Sequence, residues 1–230
     1  MTLPQGEAKE AFVRSLFDRI APRYDTINRL MTLGLDKSWR RKSIRLLGLA
    51  PGSVVADVAC GPGEMTELMR SGGYRVAGFD FSSRMLAAAR CRLPLAQADA
   101  AVLPVAKGAL DGVVSGFALR NFADLQAVLS ECGRAVRPGG RVSLLDVGAP
   151  SNGIVRAVGD VFLRGIAPLV GRLLSDAEAY RYLPRSMAYL PAPEELLAML
   201  GRAGFADAAH HRVVGGIVQV YTATRDRAAE

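Results

Sequence analysis

The sequence predicts an α/β fold: a mostly parallel, seven-stranded sheet with an antiparallel hairpin at one end, helices ahead of it and a helical insertion after the fifth strand. Three observations carry this expectation. The run Val54-Val-Ala-Asp-Val-Ala-Cys-Gly-Pro-Gly-Glu64 is apolar up to Asp57 and then breaks into a Gly61-x-Gly63 turn. Sixteen residues after Gly63, a second apolar run ends in Phe79-Asp80. Strand, glycine turn, helix, strand and terminal acid make half of a nucleotide-binding sheet. Beyond it, near-continuous apolar strands keep alternating with helices, the pattern of a parallel sheet covered on both faces. The glycines let backbone N–H groups approach a ligand where a Cβ would block them. The acid ending the second strand can accept hydrogen bonds from both hydroxyls of a ribose, which predicts a ligand with an adenosine-like half.

Element by element, residues 8–47 are expected to be helical and amphipathic. Ala11, Phe12, Ser15, Leu16 and Ile20 recur at helical spacing, Pro22 interrupts them, and Tyr24 to Met31 resumes the pattern. Pro51-Gly52 is a turn. Ser53 to Ala59 is the first strand, Glu64 to Arg70 a helix and Arg75 to Phe79 the second strand, while Ser82-Ser83 caps a helix running to about Arg92. Leu95 to Ala98 is a short third strand ending at Asp99, and Leu110 to Ser115 a fourth. Ala123 to Val136 is a helix stopped by Pro138-Gly139-Gly140, and Arg141 to Asp146 is the fifth strand. Residues 150–190 break the rhythm as a helical insertion; Glu194 to Ala203 is a helix, and Ala208 to Thr224 is a pair of strands around Gly215-Gly216.

At 230 residues the chain is long enough for one domain with additions and a full core. Its net charge of +7 suits an anionic surface or substrate, but the basic residues are dispersed. The densest group, Arg40-Arg41-Lys42 with Arg45, is expected to be a solvated helix face. No basic stripe interleaves with aromatics, so nucleic acid is not expected as a partner. Cys60, Cys91 and Cys132 have no metal spacing and form no even disulfide framework. No apolar run reaches the roughly 18 residues that span a bilayer; Ile154 to Leu174 comes nearest and is interrupted by charges and Pro168. The first ten residues, with Lys9 their only basic side chain, do not look like a transit peptide. A cytoplasmic protein is expected.

A Gly-x-Gly turn with a downstream acid serves both NAD and S-adenosylmethionine (SAM). Three features favour SAM. Thr66 stands where the third glycine of the dinucleotide fingerprint would be. Asp99 ends the third strand, within reach of an adenine amino group. Val136-Arg137-Pro138-Gly139-Gly140 resembles the turn before strand five of SAM-dependent methyltransferases.

More of the chain then resembles one family. Phe17-Asp18-Arg19-Ile20-Ala21-Pro22-Arg23-Tyr24-Asp25, with Asn28, Met31, Gly34 and Trp39-Arg40-Arg41, is similar to the N-terminal signature of the quinone-biosynthesis C-methyltransferases, which methylate demethylmenaquinol or polyprenyl-benzoquinols. Phe117-Ala118-Leu119-Arg120-Asn121 resembles that family's motif after strand four, Ala177-Glu178-Ala179-Tyr180-Arg181-Tyr182-Leu183-Pro184-x-Ser186 its inserted segment, and Gly215-Gly216-Ile217-Val218 its hairpin. The similarity runs from about Phe12 to Thr222.

The resemblance implies a Rossmann-like class I methyltransferase fold, with a helical cap over residues 1–50 and the SAM-dependent domain over 51–230. It implies S-adenosylmethionine as cofactor, no metal, and a cofactor set of Asp57, Gly61, Pro62, Gly63, Asp80, Phe81, Asp99, Ala100 and Gly116. Within that set the glycine loop passes the methionine end, Asp80 holds the ribose, Asp99 and Ala100 flank the adenine, and Gly116 lies near the methionine end. The acceptor is a lipophilic quinol or another aromatic small molecule, a soluble phenol or polyketide being the alternative. Tyr24, Asn28, Trp39, Tyr180 and Tyr182 are expected to line its pocket. Departures from the family pattern bear on the acceptor and the loop: Pro62 replaces a usual Thr, Asp146 a Glu, Gly148 a Ser, Asp36 a His, Gly116 a Ser, and Gln219-Val220-Tyr221 an Ala-Leu-His.

Methylating a ring carbon ortho to a phenol requires the phenol to lose its proton, and so a base, or a cation with a water. Arg120 and Asn121, beyond strand four, are the expected catalytic pair. Arg120 lowers the phenol pKa or positions a water, and Asn121 orients the ring oxygen. The competing expectation for Arg120 is a structural ion pair with Asp124. His210 and His211 lie outside the motifs and are not expected to take part. The apolar stretches around Ile27 to Leu35 and Val158 to Val170 are expected to hold an isoprenoid tail, with the protein docking on the inner face of the cell membrane; a homodimer stays open.

Overall fold

The computed structural model of the chain describes residues 5–90, 92–148, 182 and 185–227. Three helices precede the sheet: α1 (Gly6–Ile20), α2 (Tyr24–Thr32) and α3 (Asp36–Leu47). Pro22 lies in the single 3-10 turn Ala21–Arg23 that separates α1 from α2, where a missing N–H and a fixed φ are tolerated. Then come β1 (Val54–Val58), α4 (Glu64–Ser71), β2 (Arg75–Asp80), α5 (Ser83–Ala87), β3 (Leu95–Gln97) and β4 (Leu110–Gly116). They are followed by α6 (Leu125–Ala135), β5 (Val136–Val147), α7 (Pro193–Arg202), β6 (Phe205–Val213) and β7 (Val218–Arg225).

The seven strands form one sheet in the order β3-β2-β1-β4-β5-β7-β6. β7 pairs antiparallel with both neighbours; the other pairs are parallel. The chain winds outward from β1 to β3, then returns to the other side of β1 with β4. That reversal opens a crevice at the carboxyl ends of β1 and β4, where ligands of such sheets bind. One face of the sheet packs on α6 and α7 through Val128, Leu129, Leu196 and Leu200. The other packs on α3 and α4 through Leu47, Met65 and Met69 against Val55, Val114 and Leu145. A smaller apolar cluster of Val13, Leu16 and Tyr182, with Phe81 and Tyr189 beside it, holds α1 over the crevice.

Two elements differ from the expectation. α5 ends at Ala87, not near Arg92. The chain must turn back there, since the Gly78 amide donates to Pro94 O at 2.9 Å to seat β3, and Arg90 reaches across to Asp25 at 3.0 Å. β5 begins at Val136, so the Pro138-Gly139-Gly140 turn is a bulge inside the strand rather than a break before it. Val136 pairs with Leu110, and pairing resumes at Gly112 with Arg141. Gly139, at φ +75, supplies the left-handed step such a bulge needs. Most of the expected insertion, with Tyr180 and the stretches Ile154 to Leu174 and Val158 to Val170, lies outside the described residues.

Candidate active site

A cavity of about 200 Å³ lies at the carboxyl ends of β1 to β4, roofed by α1 and the start of α2. Six of the expected cofactor residues line it: Gly61, Asp80, Phe81, Asp99, Ala100 and Gly116. Tyr24 and Asn121 line it too, with Phe17, Met85, Phe117 and Phe122 as apolar wall.

Asp80 organises the cofactor wall. One carboxylate oxygen accepts from the Gly61 amide at 2.8 Å and the other from the Ser82 amide at 2.9 Å. Burial raises its pKa, with the Ser82 and Gly61 amides pulling the other way. Each carboxylate oxygen keeps a second lone-pair site, so the hydrogen bonds that shape the loop leave acceptors for a ribose. The helix cap is a separate residue: Ser82 Oγ accepts from the Met85 amide at 3.0 Å. Gly61 has φ +57, a left-handed conformation open to glycine ahead of Pro62. The turn closes through Gly63 N–H to Cys60 O at 3.0 Å, so it needs no N–H from Pro62.

Asp57 lies behind the loop and does not line the cavity. Thr66 donates to one of its oxygens at 2.6 Å, while the other is buried without a hydrogen-bond partner. Burial pushes the Asp57 carboxyl up to about 6, against the Thr66 bond and the charge of Arg40. Thr66 is thereby explained: where the dinucleotide fingerprint has its third glycine, this chain spends a hydroxyl on Asp57. The close packing is supplied from the opposite side by Gly78, where a Cβ would sit 2.7 Å from Thr66 Oγ1.

The acceptor wall is built on Arg120, which is buried and does not line the cavity. Its guanidinium pairs with the fully buried Asp146, donates to Phe117 O at 3.1 Å and reaches Ser186 Oγ at 3.2 Å. An ion pair is present as the competing expectation had it, but with a different partner, because Asp124 is occupied capping α6 through the Ala127 amide at 2.9 Å. Beside Arg120, Asn121 Oδ1 accepts from the Tyr182 hydroxyl at 3.0 Å. Tyr182 is thus behind Asn121, not on the cavity surface. Trp39 packs edge-on against Phe117 at 6.3 Å, and neither it nor Asn28 lines the cavity. Phe117 at φ +65 and Ala59 at φ +56 are left-handed non-glycine residues at the ends of β4 and β1, both on the cavity. Such strain concentrates at working sites, but no composition pattern reveals it.

Arg40 does not belong to a solvated face: it is only 5 % exposed, whereas Arg41, Lys42 and Arg45 are exposed. It lies 3.4 Å from Glu64 and 3.9 Å from Asp36, and its guanidinium covers Phe117. Burial raises the Glu64 pKa, with Arg40 opposing and Asp36 and Asp25 adding to it. Arg40 also explains Gly116, where a Cβ would meet its Nη1 at 2.8 Å. Gly148 has a similar cause, since a Cβ there would meet Gly216 O at 2.3 Å. The helical phase of Asp36, Arg40, Ser43 and Leu47 is the signal that places Arg40 inside.

His210 stacks on Tyr221 at 4.8 Å and bonds Gln219 at 3.0 Å, while His211 bonds Thr222 at 2.9 Å. Both stand on β6, away from the cavity. Lys9 joins α1 to the acceptor wall, donating to Phe122 O at 2.6 Å and covering the Tyr189 ring at 3.9 Å. Its burial lowers its pKa to about 8.

These residues fit S-adenosylmethionine. A carboxylate with spare lone pairs shares the cavity with apolar Phe81, Met85, Ala98 and Ala100, with Asp99 and with a side-chain-free Gly116. Residues 5–225 match the ubiE/COQ5 methyltransferase family. A ubiquinone/menaquinone biosynthesis C-methyltransferase UbiE of Syntrophotalea carbinolica is 38% identical, over 92% of this chain and 93% of its own length. A demethylmenaquinone methyltransferase of Thermus thermophilus is 41% identical over 83% of this chain and 91% of its own. Among solved structures, a SAM-dependent methyltransferase of Thermotoga maritima superposes with a TM-score of 0.67 at 16% identity, covering 93% of this chain and all of that one. The phosphoethanolamine N-methyltransferase 2 of Haemonchus contortus, solved with S-adenosyl-L-methionine, does so at 0.60 and 15% identity, over 82% of this chain and 52% of that one.

Proposed function

The chain belongs to the ubiE/COQ5 methyltransferase family and is a SAM-dependent methyltransferase, and from that premise we propose that it C-methylates a prenylated hydroquinone, demethylmenaquinol to menaquinol. The observation that carries this reading is the field in the cavity. Tyr24 is a phenol on the cavity wall, and while its burial raises its pKa, the charges of Arg40 and Arg120 pull it down. A hydroquinone phenol lying beside Tyr24 meets the same two cations, set against the same burial that leaves Tyr24 raised overall. The names of the relatives favour a quinone precursor over a soluble phenol.

The cofactor, when bound, supplies an electrophilic methyl group on a sulfonium. Asp80 holds the ribose hydroxyls, and Asp99 with Ala100 borders the adenine. Across the cavity, Asn121 is oriented by the Tyr182 hydroxyl on its Oδ1, which directs the amide nitrogen as a donor. An amide carries two N–H bonds; one is turned to Phe117 O at 3.4 Å, and the other is assigned to the acceptor oxygen. Arg120 stays protonated and is no base. Held by Asp146 and Phe117, it lowers the phenol pKa through space, and a water takes the proton. With the cofactor bound, the ring carbon ortho to the phenolate would receive its methyl group, and the ring hydrogen would leave as a proton to water. The helices of residues 1–50 act as a cap over this reaction, and the prenyl tail brings the enzyme to the membrane surface.

The test is transfer of labelled methyl from SAM to demethylmenaquinol with a short prenyl tail, followed across pH. The wild-type chain is expected to transfer. Arg120→Gln is expected to lose about 100-fold at neutral pH and to recover toward alkaline pH as the phenol ionises unaided. Arg120→Lys, which keeps the charge, is expected to retain the wild-type pH profile at reduced rate. No transfer by the wild-type chain with SAM binding intact sinks the quinol reading; an Arg120→Gln loss equal at every pH sinks the electrostatic role.

A further inference from the structure

Five large apolar side chains stand exposed among the described residues, and three of them fall within six residues: Leu30 at 43 %, Leu33 at 69 % and Leu35 at 48 %. They occupy the last turn of α2 and the loop into α3. Leu33 is held at φ +52, a left-handed conformation that a leucine adopts only at a cost, and its side chain is left in water. Among the described residues, no core cluster includes it.

The charges around this loop are sorted. The two acids of α2 and α3, Asp25 and Asp36, are both turned inward at 9 % and 1 % exposure. On α3 the inward stripe is Asp36, Arg40, Ser43 and Leu47. The opposite stripe, at i, i+4 and i+8, is Lys37, Arg41 and Arg45, all exposed, with Lys42 and, on α2, Arg29 also exposed. The exposed ionisable side chains of these two helices are thus basic, and they flank an apolar tip. That combination suits one kind of surface: an anionic bilayer, where leucines enter the headgroup boundary and lysines and arginines meet the lipid phosphates.

We propose that the α2–α3 loop is the membrane-docking surface of this protein, with Leu30, Leu33 and Leu35 inserted and Lys37 and Arg41 on the anionic headgroups. For its purpose this rests on the prenylated-acceptor reading; for its place it rests on the exposed leucines. α2 has nine residues and spans about 13 Å. Its first residue, Tyr24, is on the cavity wall. The docked loop therefore sets the acceptor site about one short helix from the bilayer, a distance a prenyl chain bridges without leaving apolar surroundings.

The test is flotation of the full chain with vesicles of phosphatidylglycerol and phosphatidylcholine, against vesicles of phosphatidylcholine alone, with no acceptor present. The wild-type chain is expected to float with the anionic vesicles, and less so in high salt. A triple variant, Leu30→Ser with Leu33→Ser and Leu35→Ser, is expected to lower partitioning at least about tenfold. Its melting temperature should be unchanged. Lys37→Glu with Arg41→Glu is expected to abolish the preference for anionic lipid. A wild-type chain that stays at the bottom of the gradient overturns the proposal. So does a triple variant that floats like wild type, or a concentration-dependent dimer that the triple variant dissolves, which would give the leucines to a second copy. Docking without any quinol methylation would retire the acceptor reading and leave the surface standing.

Discussion

On the cofactor wall, the Asp80 carboxylate holds an amide 19 residues earlier in the chain, and Thr66 reaches Asp57 across nine. On the acceptor wall every span is longer: Arg120 to Asp146 is 26 residues, Tyr182 to Asn121 is 61, and Lys9 to Phe122 is 113. The first wall is one supersecondary unit, strand, turn, helix and strand, whose parts meet because they are consecutive. The second is gathered from α1, the residues after β4, β5 and Tyr182. Such walls should fail differently. Damage to the local wall should cost binding and leave the fold in place, whereas damage to the assembled wall should cost stability first.

Asp146→Ala is the strongest way to break that contrast. It leaves the Arg120 guanidinium, 7 % exposed, without its counter-charge, and removing one partner of a buried pair costs about 3–5 kcal/mol. Urea unfolding should show that loss. A variant as stable as wild type would mean that the acceptor wall is not assembled around this pair.

Asp80→Ala should do the reverse. It removes the proposed ribose acceptor and the ties to Gly61 and Ser82, and charged hydrogen bonds of this kind account for roughly 100-fold in affinity. Calorimetry should show SAM binding weakened by that order, with the urea midpoint moved less than in Asp146→Ala. A larger loss of stability than of binding would undo the distinction.

A third variant, of similar size in energy, sharpens it within the cofactor wall. The Asp57 carboxyl titrates at about 6 when folded, against an ordinary value of 3.8. The folded state therefore holds the extra proton between those values, and stability falls as pH rises through that window. Asp57→Asn keeps an acceptor for Thr66 and removes the titration. It should be nearly neutral at about pH 4 and stabilising by up to about 3 kcal/mol at about pH 7. Equal gains at both pH values would show that the buried charge is not the cause.

The same contrast separates what could be read in advance. The Gly61 loop, Asp80, Phe81, Asp99, Ala100 and Gly116 were legible because a doubly wound sheet places the carboxyl ends of its strands side by side, so strand-terminal residues share a cleft wherever they fall in the chain. Tyr24 and Asn121 also line the same cavity. Asn28, Trp39 and Tyr182 do not line it; they support residues that do, and whether an aromatic lines a pocket or backs its wall is decided by packing. The end of α5 was misplaced because the need to seat β3 on β2 overrides local helical preference.

By itself the sequence determined the parallel sheet with its reversed hairpin, the family and the strand-terminal residues that share the cavity, since these follow from hydrophobic period, glycine placement and consecutive elements. Only the tertiary structure decided that Arg40 lies inside beside Gly116, that Arg120 answers to Asp146 and not Asp124, and that Asn121 is steered by Tyr182. The physical reason is distance along the chain: an ion pair forms with whichever carboxylate folding delivers to the same dry volume, and periodicity is silent about partners far apart in sequence.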